Sequence, residues 1–159
     1  MNNQPQQRID ENALKAWQLS GWISAGTYTV IFAVVAFLAY RFDWPTWIPA
    51  VVFIAAAAQS VLEIRILPRL HYNQWRYSVN EDEIELQHGI FIKKRTLIPM
   101  IRIQHVDTKQ GPILRKYGLA TVTFSTAAGS HEIPALSEHS ADRVRRQIAS
   151  LARISDEEI

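Results

Sequence analysis

Residues Ile101 to Gly129 read IRIQHVDTKQGPILRKYGLATVTFSTAAG, and this stretch decides the fold. From Ile101 to Val106 apolar and polar residues alternate, which is the period of a half-buried strand. Gly111-Pro112 breaks the pattern, since proline brings no amide hydrogen to a sheet ladder and glycine permits turn geometry. Lys109, Arg115 and Lys116 gather around the break. Gly118 opens a second alternating run, Leu119 to Ser125, with Val122 and Phe124 on one face, and Ala127–Ser130 turns the chain again.

Working outward, Trp75–Val79 and Glu83–Gln87 also alternate and share the turn Asn80-Glu81-Asp82, a hairpin signal. Gly89 marks a second reversal. Phe91 to Ile98 reads as a strand with Lys93, Lys94 and Arg95 near its start, ended by Pro99. The next strand places Arg102 and Gln104 on one face, opposite Ile103. There arginine can bridge carbonyls and glutamine can close a buried hydrogen bond. His131–Leu136 is a further short strand, the sixth in this reading. Then the period changes. Ala141, Val144, Ile148 and Leu151 recur at helical spacing, with Arg143, Arg145, Arg146 and Gln147 opposite, and Ser137 or Ser140 can cap the start. Antiparallel strands closed by one helix predict a small bent sheet or barrel with the helix plugging an open end.

The N-terminal half has a different character. GWISAGTYTVIFAVVAFLAY carries no charge over about 20 residues, enough for a helix to cross a hydrocarbon core. WPTWIPAVVFIAAAAQSVL is nearly as long. Only Arg41-Phe42-Asp43 separates them, which forces an antiparallel hairpin. Pro45 and Pro49 fall near the start of the second helix, where proline is best tolerated, and Trp17, Trp22, Trp44 and Trp47 mark the interfaces. Arg8 and Lys15 flank the first span, and Arg65, Arg69 and Arg76 follow the second, against Arg41 alone in the turn. The positive-inside rule thus predicts a multi-pass protein of the cell membrane, with both termini and the soluble domain cytoplasmic. Glu63, one turn inside the basic end, reads as an interfacial residue that snorkels toward Arg65 or headgroups. A cleaved signal peptide fits the first run poorly, because the run exceeds an h-region and its preceding segment carries Asp10 and Glu11.

The expected organisation is an N-terminal cytoplasmic segment 1–15, a transmembrane hairpin 16–69 (spans at about 17–40 and 44–67), a β domain 71–152 and a tail 153–159. MNNQPQQ and SDEEI read as disordered ends. The 159 residues carry a net charge of +2 and a pI near 9.0. The chain has no cysteine, which excludes disulfides, thiolate zinc sites, thiol nucleophiles and a lipidated cysteine.

Several spaced motifs now stand in order: Gly89, Lys94-Arg95 and Ile98-Pro99; Arg102-Ile103-Gln104 with Val106; Gln110-Gly111-Pro112 with Arg115 and Gly118-Leu119-Ala120; Ala127-Ala128-Gly129; and Ile133-Pro134 with Leu136. In this order they resemble the bacterial pleckstrin-homology (PH) domain of the membrane-flanked type, over Tyr72 to Ile148, and the whole chain is similar to YdbS-like membrane proteins. The resemblance implies a transmembrane helical hairpin followed by a mainly-β PH-like barrel of roughly seven strands, capped by a C-terminal helix. It implies a non-enzymatic, membrane-associated module with no cofactor.

Eukaryotic PH domains bind phosphoinositides through basic residues around the first hairpin loop. Here that loop is Asn80-Glu81-Asp82-Glu83, whose acids repel phosphate, so that mode is not carried over. Between His88 and Gly118 the basic residues Lys93, Lys94, Arg95, Arg102, Lys109, Arg115 and Lys116 meet one acid, Asp107. With Gln104 they form the candidate binding set, for lipid headgroups or a protein partner; the plain alternative is a solvated face. None of the five histidines forms a metal-ligand pair of known spacing, and His105 with Asp107 offers two ligands, too few for zinc. No phosphate-binding loop, nucleophile elbow or recognition helix stands out, so neither a small-molecule substrate nor nucleic acid is expected. The function expected is an integral-membrane adaptor or scaffold that contacts membrane lipids and other membrane proteins or copies of itself. An anionic-lipid sensor and an accessory subunit of a transporter are the alternatives, the latter drawing on the small residues Ala55–Ala58 for close helix approach.

Overall fold

The computed structural model describes residues 7–157. They divide into two units, Leu14–Arg69 and residues 7–13 with 70–157.

The first unit is the hairpin. Helix α1 (Asn12–Arg41) is uncharged from Ala16 to Tyr40. Helix α2 (Trp47–Val61), a π-helical turn (Leu62–Ile66) and helix α3 (Leu67–Gln74) run on as one helix, Trp47–Gln74. Both helices are long and apolar enough to cross a membrane. They pack through Phe32 and Phe53, whose ring centroids lie 5.4 Å apart. Gly21 sits so near the other helix that a Cβ there would stand 2.9 Å from the Glu63 carbonyl oxygen, so glycine permits the close approach. Glu63 departs from its expected role. Its Oε1 accepts hydrogen bonds from the Tyr28 hydroxyl at 2.7 Å and Gln59 Nε2 at 2.9 Å, a polar clasp across the helices in place of a snorkelling side chain.

The second unit contains seven strands in two antiparallel sheets. One sheet has the order β1 (Gln7–Arg8), β2 (Arg76–Val79), β3 (Glu83–His88), β4 (Lys94–Pro99). The other runs β5 (Ile103–Lys109), β6 (Leu119–Thr126), β7 (Gly129–Ser137). A 3-10 turn, Met100–Arg102, carries the chain between them, and helix α4 (Pro112–Lys116) fills the connection after β5. Helix α5 (Glu138–Glu157) packs on β5, the 3-10 turn, β6 and β7. Ser137 caps it, its Oγ accepting the Ser140 amide hydrogen at 3.2 Å. Ala141, Val144 and Ile148 are the buried stripe read from the sequence, and they meet Ile84, Met100, Leu119, Val122, Phe124, Ile133 and Leu136 in one core. The fold is PH-like, with two sheets in place of one closed wall.

Four details differ from the sequence reading. The seventh strand comes from ahead of the first span: Gln7 pairs with Tyr77 and Arg8 with Arg76, Ile9 and Ala13 are buried, and the Asp10 amide donates to the Ala135 carbonyl at 3.1 Å. Gln7 thus belongs to a strand; the rest of the expected N-terminal tail lies outside the described residues. Strand β4 begins at Lys94, leaving Phe91 and Ile92 in the β3–β4 connection. Arg102 sits in the 3-10 turn and the register shifts between Ile103 and His105, so Arg102 and Gln104 do not share a strand face. Residues 153–157 continue α5, while Glu158 and Ile159 lie outside the described residues.

Candidate partner and membrane contact sites

The candidate residues fall into separate places. Lys93 lies in the β3–β4 connection, with Lys94 and Arg95 at the start of β4. Arg102 is in the 3-10 turn, Gln104 and Lys109 are on β5, and Arg115 and Lys116 are on α4. All eight are exposed, and they divide between two sheets and the turns beside them. Arg95 is bound within the fold. Its Nε donates to the Glu85 carboxylate, whose side chain is 6% exposed, so this guanidinium neutralises a buried charge. The bridging role expected of Arg102 and Gln104 falls to Gln110. Its Nε2 donates to the Leu119 carbonyl at 2.9 Å and also to Glu138, tying the end of β5 to the starts of β6 and α5. Its place in the Gln110-Gly111-Pro112 motif was the available signal. His105 Nε2 lies 2.8 Å from Asp107 Oδ2 on the exposed face of β5.

Strand β5 is an edge. It pairs with β6 on one side, and no strand of the described residues pairs with the other. Such an edge carries main-chain groups open to another strand. Beside it runs a groove of about 650 Å³ lined by Ile101, Ile103, Gln104, Val106, Ala149 and Ala152, with Arg153 at its margin. The strand and 3-10 turn supply the branched apolar Ile101, Ile103 and Val106 with the polar Gln104, and α5 supplies the small Ala149 and Ala152 with Arg153.

The β3–β4 connection is the second feature. Gly89 has φ +120°, and a Cβ there would fall 2.0 Å from the Ile92 carbonyl oxygen, so only glycine closes this turn. Gln74 Nε2 donates to the Ile90 carbonyl at 3.2 Å, and His88 stacks on Trp75 with centroids 4.9 Å apart. Burial, and then the positive charges of Lys94 and His71, hold the His88 imidazole below the usual histidine range. The backbone is therefore anchored, yet Phe91 is 97% and Ile92 83% exposed.

A helical pair fit to cross a membrane, joined to a two-sheet domain packed by one C-terminal helix, defines a membrane-anchored PH-like protein. The bacterial PH domain family matches residues 18–152, and the chain belongs to that family. It is 45% identical over 159 residues to the UPF0699 transmembrane protein YdbS of Bacillus subtilis (strain 168), covering 100% of both chains. A second relative, the UPF0699 transmembrane protein YdbT of the same organism, is 27% identical over 102 residues, 60% of this chain and 21% of that longer protein. No solved structure matches the chain. Its place is therefore the membrane.

Proposed function

We propose that this protein is a non-enzymatic membrane adaptor whose hairpin holds the PH-like domain at the cytoplasmic face, where the β5 edge captures an extended segment of another membrane protein. The observation that carries this reading is the open edge of β5 lying along a groove of mixed lining, with Ile101, Ile103 and Val106 beside Gln104 and Arg153. An added strand would complete main-chain hydrogen bonds on that edge and set alternate side chains into the groove. The orientation draws on Arg8, Lys15, Arg65, Arg69 and Arg76 at the domain end of the spans, against Arg41 in the turn. Two crossings are supported by β1 and β2, which pair although one precedes the first span and the other follows the second. The presence of a related segment in a larger transmembrane protein also fits a module that works in company.

The test is photo-crosslinking in the native membrane. A crosslinking residue replacing Gln104, which is exposed and lines the groove, should give a discrete adduct with a membrane protein, and one replacing the exposed Ser130 near the start of β7 should not. Ala149→Arg fills the groove from an exposed helix position and should abolish the adduct without moving the thermal midpoint. Equal adducts from both positions, or an adduct indifferent to Ala149→Arg, would count against the groove.

A further inference from the structure

We propose that the β3–β4 connection is a membrane wedge: Phe91 and Ile92 enter the boundary between headgroups and acyl chains, while Lys93 and Lys94 lie against the phosphates of an anionic leaflet. This goes beyond the capture of a protein segment and needs only the membrane anchorage, so it stands or falls separately from the β5 groove.

Exposure comes first. Phe91 and Ile92 are 97% and 83% exposed, more than any other large apolar side chain described in the β domain. A phenylalanine and an isoleucine held side by side in water are the reverse of what a solvated turn selects. A loose loop could fold such a pair back onto its own sheet, but this turn is fixed at Gly89 by its close approach to Ile92 and at Ile90 by Gln74. The pair is presented outward by a built backbone.

Charge comes second. From Gln87 to Thr96 there is no acid, and the exposed Lys93 and Lys94 follow the apolar tip directly. Apolar side chains beside lysines are the composition that the interface of an anionic bilayer accepts, the rings and branched chains entering the acyl boundary and the ammonium groups staying with phosphate. Arg95 takes no part, because it is paired with Glu85.

Reach comes third, and it selects lipid over a protein surface. Gln74, which holds Ile90, is the last residue of the continuous helix Trp47–Gln74 that contains the second span. From Leu67 to Gln74 is about 10 Å of helix at 1.5 Å per residue. The turn is thus bonded to a residue only five positions beyond Arg69, where the unit of the two spans ends, and chain connectivity alone keeps the bilayer within its reach.

The absence of native cysteine makes the test direct. Full-length chain carrying Ile92→Cys, or Phe91→Cys in a second variant, is labelled with a polarity-sensitive fluorophore. It is then reconstituted into vesicles of phosphatidylcholine alone or with phosphatidylglycerol; Ser130→Cys provides the aqueous control. In the anionic vesicles the labels at 91 and 92 should be quenched by acyl-chain nitroxides several-fold more than the control, and acrylamide should quench them several-fold less. Lys93→Glu with Lys94→Glu should reverse most of that difference. Labels quenched by acrylamide as strongly as the control in both vesicles would overturn the proposal. So would labels shielded from both quenchers in proportion to protein density, which would mean that a second copy covers the tip. Equal lipid quenching in neutral vesicles would overturn the role given to the lysines.

Discussion

Glu85 is 4% exposed and carries a carboxylate, a costly placement unless its charge is met. Arg95 meets it from the neighbouring strand. The register pairs Glu85 with Leu97 and Gln87 with Arg95, so the two charged residues are diagonal neighbours across β3 and β4. Removing the arginine strands the carboxylate. Arg95→Ala is expected to destabilise the domain by about 2–3 kcal/mol, measured by thermal unfolding of the full chain in detergent, while Lys93→Ala leaves the midpoint unchanged. Equal, small effects would mean that the pair contributes little. Lys93, Lys94 and Arg95 looked alike in the sequence because a run of three cations does not reveal which one faces a buried acid; that needs the cross-strand register. Gln110 was marked by its motif, but its bridging role was not legible, since its partners Leu119 and Glu138 lie in other elements.

Elements were more legible than pairings. Val122 and Phe124 in β6, the Asn80–Asp82 turn and the buried stripe of α5 follow from period and turn chemistry alone. Strand β1 did not, because two residues carry no period; its evidence is tertiary, in the pairing with β2 and the burial of Ile9. Phe91 and Ile92 misled for a physical reason. Their β propensity extended the strand, and Gly89 folds the backbone back onto Ile92 before the ladder begins. The same connection yields a pH prediction. The folded pKa of His88 lies below its unfolded value of about 6.5. Its contribution to stability is therefore complete above that pH and lost as pH falls through the folded value, because the unfolded chain then binds the extra proton. The thermal midpoint should fall between pH 7.5 and pH 5.5, and His88→Phe, which keeps a ring against Trp75, should flatten the fall. An identical slope in the variant would remove His88 as the cause.

At the scale of the whole molecule, composition separated an apolar half from a mixed one, and the two long runs required a hairpin. The candidate site was less legible. The basic residues were visible, but the β5 groove depends on α5 presenting Ala149 and Ala152 beside Ile103 and Val106, a juxtaposition between elements that are distant in sequence. The proposed capture of a protein segment at β5 is placed at the cytoplasmic face, whereas the lipid contact at Phe91 and Ile92 needs only the membrane anchorage, so sidedness is the central claim of the proposed function. It can be read in intact cells with two single-cysteine variants and a membrane-impermeant maleimide, one at Phe42 in the hairpin turn and one at the exposed Ser130 near the start of β7. Labelling at position 42 from outside, with position 130 labelled only after permeabilisation, is the result expected. Labelling at position 130 in intact cells, with position 42 protected, would place the domain on the other side of the membrane and contradict the account.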